Sequence, residues 1–168
     1  MSKANICIIG LSKHFTDDVC KQLSIKMDMF YANVQDILEF ELMDMQKVEE
    51  VCGIDYLLKE ERSIIRRICT YDNTIINVDY SCLNNDSNVE VIRDNCLIIY
   101  LRLNEKRFQK EQDKENINSN IKGINKDLFH DRDFICNKIA DITVDCENHK
   151  DNELIEIIIE NILKFYTK

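Results

Sequence analysis

Asn5 to Met27 reads NICIIGLSKHFTDDVCKQLSIKM. Ile6-Cys7-Ile8-Ile9 is a short apolar run closed by Gly10, the pattern of a strand covered on both faces in a parallel sheet. Thr16-Asp17-Asp18 then offers an N-cap and first-turn acids, after which Val19, Cys20, Leu23 and Met27 recur at helical spacing. Two carboxylates at a helix start occupy the place where partial positive charge and free N–H groups would otherwise attract an anion. The chain thus opens with strand, short loop and helix, the unit from which α/β sheets are built.

The alternation continues outward from that unit. Met29 to Ala32 predicts a second strand and Val34 to Met45 an amphipathic helix with Ile37, Leu38, Leu42 and Met45 inward; Met43 and Met45 read as core. Val48 to Ile54 predicts short helix and turn, with Gly53 capping it before a helix over Tyr56 to Cys69. The charges from Lys59 to Arg67 fit a solvated helix surface. Strands follow at Asn73 to Val78 and Cys96 to Leu101, with a helix around Ser87 to Asp94 between them. A fifth strand falls at Thr143-Val144 and a closing helix at Glu153 to Phe165. This order predicts a single α/β domain, a three-layer sandwich around a five-stranded parallel sheet. Residues 104–128 turn polar around Gly123 and read as a mobile segment or a lid over a site.

Composition narrows the function. At 168 residues, 45% hydrophobic and with a net charge of −9, the chain suits one soluble domain with a proper core. Lys and Arg total 22 against 31 acids without a basic stripe, which argues against nucleic acid as a partner. No apolar run approaches the roughly 18 residues of a membrane span, and no secretory leader is recognisable, so a cytoplasmic protein is expected. The eight cysteines form no C-x-x-C pair and read as buried hydrophobes in a reducing compartment. His14, His130 and His149 lack the spacing of helix-borne metal ligands and read as surface residues; no metal site is expected. With no proline and only three glycines, few loops can cradle a ligand through their backbone.

A strand, loop and helix at the start of a small α/β domain is where nucleotide phosphates bind in the pattern G-x-x-x-x-G-K-S/T. Counted from Gly10, the second glycine is Phe15, the lysine is Thr16 and the hydroxyl that holds magnesium is Asp17. A backbone able to wrap phosphates, a cation for their charge and a metal ligand are all replaced. Ser12 and Lys13 also lie in this degenerate loop, and Lys13 is the only cation inside it.

The order of the segments resembles the shikimate kinase family along essentially the full length. NICIIG followed by VCKQLSIKM is similar to its first strand, phosphate loop and helix, and YANVQDILE to its F-I-D-x-D-E-x-I-E segment. GIDYLLKEER resembles G-E-x-x-F-R-x-x-E, and NTIINVDYSCL with NVEVIRDNCLIIYLRL resembles its third strand, glycine loop, helix and fourth strand. RDFICNKIADITVD is similar to R-x-P-L-Y-x-x-x-A-D-x-x-V-D. The resemblance implies a P-loop fold, and in the family it implies ATP- and magnesium-dependent phosphorylation of the 3-hydroxyl of shikimate.

Carried over by position, that chemistry is altered. The resemblance places Asn33 at the aspartate associated with magnesium and Gln35 at the aspartate that contacts the reacting hydroxyl. An amide neither accepts the proton nor carries the charge. Leu58 stands at a substrate-carboxylate arginine, while Glu61 matches the motif's glutamate. Asp79-Tyr80-Ser81 replaces the triple glycine, and the lid has no R-P pair; Arg102, Lys106, Arg107 and Lys110 lie upstream of it. Arg132 matches the arginine that binds the substrate carboxylate in the family.

Three functions follow as expectations. In the first, the chain is a degenerate family member without kinase activity, requiring no cofactor and acting as a binding or regulatory protein toward a protein partner or a small ligand. In the second, a divergent kinase rebuilds its site from Lys13, His14 and Arg132 and uses ATP and magnesium. In the third, the old cleft, lined by Asn33, Gln35, Asp79, Tyr80 and Arg132, takes a neutral or cationic ligand. A cleft filled by Phe15 and Tyr80 would exclude the last.

Overall fold

The apolar run at residues 6–9 becomes β1 (Asn5–Gly10), the middle strand of a five-stranded sheet in the computed structural model, which describes residues 3–115, 126–147 and 149–167. The other strands are β2 (Phe30–Asn33), β3 (Thr74–Val78), β4 (Cys96–Arg102) and β5 (Ile142–Asp145), in the order β2-β3-β1-β4-β5. All four pairings are parallel, with Ile8 opposite Asn77 on one side and Ile99 on the other. Parallel strands need covered faces, which is why β1, β3 and β4 are near-continuous apolar runs.

Helices α1 (Lys13–Met27), α2 (Val34–Leu42), α3 (Met45–Cys52), α4 (Ile54–Ile68), α5 (Asp86–Asn95), α6 (Glu105–Glu115), α7 (Lys126–Ile139) and α8 (Asp151–Tyr166) flank the sheet, with a 3-10 turn at Tyr80–Asn84. Ile8, Ile9, Leu23, Ile64, Ile65, Ile76, Leu97 and Tyr100 are among the fully buried side chains. At the sheet's amino-terminal edge Asn5 acts as a staple. Its amide donates to the carbonyls of Cys69 and Tyr71, and its oxygen accepts from the Thr74 amide at 3.0 Å. At the opposite edge Asp133 of α7 accepts from the Tyr100 hydroxyl at 2.8 Å and pairs with Arg102, which fixes α7 against β4.

Several boundaries differ from expectation. Helix α1 starts at Lys13 with Ser12 as its N-cap, so Thr16, Asp17 and Asp18 lie inside it and its first turn holds no acid. The expected helix over Val34 to Met45 breaks at Met43, which has φ of +60° and is 90% exposed, so Met43 is not core. Met45 is partly buried against the core, as expected. Gly53, at φ +82°, ends α3 and starts α4 at Ile54 rather than Tyr56. In the polar segment Glu105–Glu115 is helical and α7 begins at Lys126; residues 116–125 lie outside the described residues. All eight cysteines are free and all but Cys52 are buried. Burial pushes the thiols of Cys136 and Cys146 up to about 12, which keeps them protonated and unreactive.

Candidate functional site

The carboxyl ends of β1, β2 and β3 open into a cleft of about 600 Å³, the place where α/β sheets bind ligands. Gly10 ends β1 at its floor, where a Cβ would run into Thr16 Oγ1. Beyond Gly10 the chain does not loop outward. Ser12 caps α1 by accepting from the Phe15 amide at 3.4 Å, and the Thr16 amide donates to the Ser12 carbonyl at 3.0 Å. Lys13, His14 and Phe15 are therefore already helical where the family pattern has phosphate-wrapping loop. Phe15 points into the core, 8% exposed, and the Arg107 guanidinium covers its ring 4.9 Å from the centroid. Arg107 also donates to the Cys146 carbonyl.

The cleft's α1–α2 wall is a closed polar network. The Tyr31 hydroxyl donates to Asp17 Oδ1 and accepts from the amides of Asn33 and Asn77, both at 3.3 Å. The Asn33 amide also reaches Asp17 Oδ1 at 3.1 Å, and the Lys21 ammonium sits 2.5 Å from Asp17 Oδ2. Burial alone would raise the Asp17 carboxyl; hydrogen bonds from Lys21, Tyr31 and Asn33 outweigh it and hold the carboxyl below its usual value. The hydrogen bond to Asp17 in turn raises the Lys21 ammonium. Asn33 Oδ1 faces the other way and caps α2, accepting from the amides of Gln35 and Asp36. Gln35 donates to Glu39 at 2.8 Å.

Across the cleft, Asp79 Oδ1 caps the 3-10 turn by accepting from the Ser81 amide at 2.9 Å, while Oδ2 lies 3.3 Å from Lys13. The Arg132 guanidinium covers the Tyr80 ring, 4.9 Å from its centroid. Tyr80 lines the cleft without filling it, and Phe15 has left it for the core.

Of the residues singled out in the sequence, Gly10, Ser12, Lys13, Thr16, Asp17, Asn33, Gln35, Asp79, Tyr80 and Arg132 all line this cleft. Leu58 does not: it is 41% exposed on α4 and is not among the lining side chains. His14, read as a surface residue, lines the cleft as well. The two acids expected to sit at the start of α1 are instead one turn further on, and Asp17 is committed to the Tyr31 network. Sequence reasoning missed Lys21, Tyr31, Asp36, Glu39 and Asn77. Two pairs carried a signal in their i, i+4 spacing, Asp17–Lys21 and Gln35–Glu39.

The two positions where the resemblance puts the family's magnesium contacts are engaged elsewhere. Asp17 has its carboxylate oxygens engaged by an ammonium, a phenol and an amide, and Asn33 gives its oxygen to the start of α2. Among the described residues no group of three His, Cys, Asp or Glu side chains converges enough to hold a metal ion.

Sheet order, covered faces and the position of the cleft define an α/β protein with the P-loop kinase architecture. A sequence model of the family described as shikimate kinase matches residues 18–163, and the chain belongs to that family. It is 25% identical over 169 residues to a shikimate kinase of Dehalococcoides mccartyi, covering 98% of this chain and 96% of that one. Among solved structures, the shikimate kinase of Acinetobacter baumannii in complex with shikimate superposes with a TM-score of 0.82 at 15% identity, covering 99% and 97% of the two chains. The shikimate kinase of Aquifex aeolicus superposes with a TM-score of 0.77 at 18% identity, covering 97% and 98%. These structural matches speak to the fold.

Proposed function

We propose that this chain is a member of the shikimate kinase family that has given up ATP-dependent phosphoryl transfer and acts by binding, as a regulatory or ligand-holding protein. The observation that carries this reading is the start of α1 at Lys13, which puts helix where phosphates would need a glycine-lined loop. Phosphoryl transfer depends on positioning and on electrostatic stabilisation of the transferred group. Thr16 supplies no charge at the lysine position, Lys13 is paired with Asp79, and the amides Asn33 and Gln35 replace both aspartates. A cytoplasmic setting suits eight free cysteines, and among the described residues no helix is long and apolar enough to cross a membrane.

Calorimetric titration with magnesium-ATP and with ADP, checked by thermal shift, tests this reading. A ligand at 100 times its Kd stabilises a fold by about 2.7 kcal/mol, so modest binding registers. We expect neither heat nor shift at millimolar nucleotide. Magnesium-dependent binding followed by phosphate transfer to shikimate would overturn the proposal and establish a divergent kinase instead.

A further inference from the structure

The eight cysteines are scattered in sequence, and the fold brings two of them into contact far from the cleft. Cys69 follows the last turn of α4 and Cys96 opens β4, 27 residues further on, and their Sγ atoms lie 3.9 Å apart with both side chains buried. Asn5 helps to fix that separation. Its amide donates to the Cys69 carbonyl at 3.3 Å, and in the β1–β4 register it stands opposite Cys96. Directly after Cys69 the chain enters an exposed turn, Thr70 to Asn73, so the Cys69 backbone lies one residue from solvent although its side chain is covered.

A disulfide holds its sulfurs about 2.0 Å apart, so the pair has to close by about 2 Å, which side-chain rotation and a small movement of the turn can supply. The pair also differs chemically from the other buried thiols. Burial raises the thiols of Cys7, Cys20, Cys82, Cys136 and Cys146. Cys69 is shifted the other way, because the Cys96 thiol donates a hydrogen bond to its sulfur, and the same bond raises Cys96. Cys69 is thus the member that forms thiolate first.

We propose that Cys69 and Cys96 are a redox modification site, forming a reversible intramolecular disulfide on exposure to a hydroperoxide and locking the end of α4 to the start of β4. The Cys69 thiolate attacks the terminal peroxide oxygen, so that an S–O bond forms, the O–O bond breaks and the departing alkoxide or hydroxide takes up a proton. The Cys96 sulfur then displaces hydroxide from the Cys69 sulfenic acid, and the hydroxide leaves as water with the Cys96 proton. Two thiols lose two electrons and two protons, and the hydroperoxide is reduced to an alcohol, or to water, and one further water. A dithiol reductant reverses the change, so a reducing compartment keeps the pair as free thiols.

The test treats the fully reduced protein with hydrogen peroxide in a Cys52→Ala background, which removes the exposed thiol, followed by alkylation and digestion without reductant. Peptide mass mapping should find the Cys69 and Cys96 peptides joined and two hydrogens lighter, and dithiothreitol should separate them. The oxidised protein should melt about 5–10 °C higher, as expected from closing a 27-residue loop. Cys96→Ala should abolish the link and leave Cys69 as a sulfenic acid trapped by dimedone, a signature that a merely structural cysteine would not give. The control Cys146→Ala should keep both the link and the melting shift. If Cys96→Ala folds poorly, the peptide map of the intact pair decides. Free Cys69 and Cys96 after peroxide treatment, oxidation of Cys69 to sulfinic acid without a link, or a link from either residue to the neighbouring Cys7 would overturn the proposal.

Discussion

Asn33 shows how one side chain holds the remodelled cleft together. Its oxygen caps α2 and its amide donates to Asp17 and Tyr31. Restoring the family's acid with Asn33→Asp keeps the cap, removes the donor and sets a second carboxylate against Asp17. The expected loss is about 1–3 kcal/mol in urea denaturation at neutral pH, shrinking as acid neutralises the pair. Asp17 itself has a folded-state carboxyl below its usual value, so its contribution is present above the usual carboxylate range and is lost as pH falls through the lowered value. Melts of Asp17→Asn should therefore depend less on pH in that acid range than melts of the parent chain. Asp36 runs the other way, because its raised carboxyl favours the folded state as it protonates. At this scale the sequence showed which chemical groups were gone, Thr16 for lysine and Asn33 for aspartate. It did not show what joined Asp17 to Tyr31, because those partners lie 14 residues apart on different elements.

Helix limits were less legible than helix existence, and the reason is local. The apolar period runs on through Met45, so nothing in spacing marks the break at Met43. There the Asp44 amide donates to the Leu42 carbonyl at 2.7 Å around a residue at φ +60° and ψ −54°. This is the strained form of a three-residue turn, which a side chain resists and glycine tolerates. Because Met43 is almost wholly exposed, Met43→Gly should raise stability by about 1 kcal/mol, seen as a higher urea midpoint with unchanged slope. Helix α1 carries the same lesson. Ser12 and Thr16 can both cap a helix by residue type, and Ser12 is used because burying Phe15 against the sheet and Arg107 requires the earlier turn.

For the whole molecule, stability resides in the sheet and its two covering layers. Ile98 in β4 is fully buried, and Ile98→Ala should cost about 2–5 kcal/mol while leaving the cleft residues in place, measured by thermal and urea unfolding. By itself the sequence determined the class of fold and the number of strands, since apolar runs alternating with helical periods have one economical packing, and it identified most of the cleft's lining. Two matters were left to the tertiary structure. One was that Leu58 stays outside the cleft while Lys21, Asp36, Glu39 and Asn77 enter it, with Tyr31 tying Asp17 to Asn33 and Asn77 behind them. The other was that the phosphate loop is helix rather than merely poor in glycine. Both depend on contacts between distant elements, and periodicity records which face of an element is buried but not what that face meets.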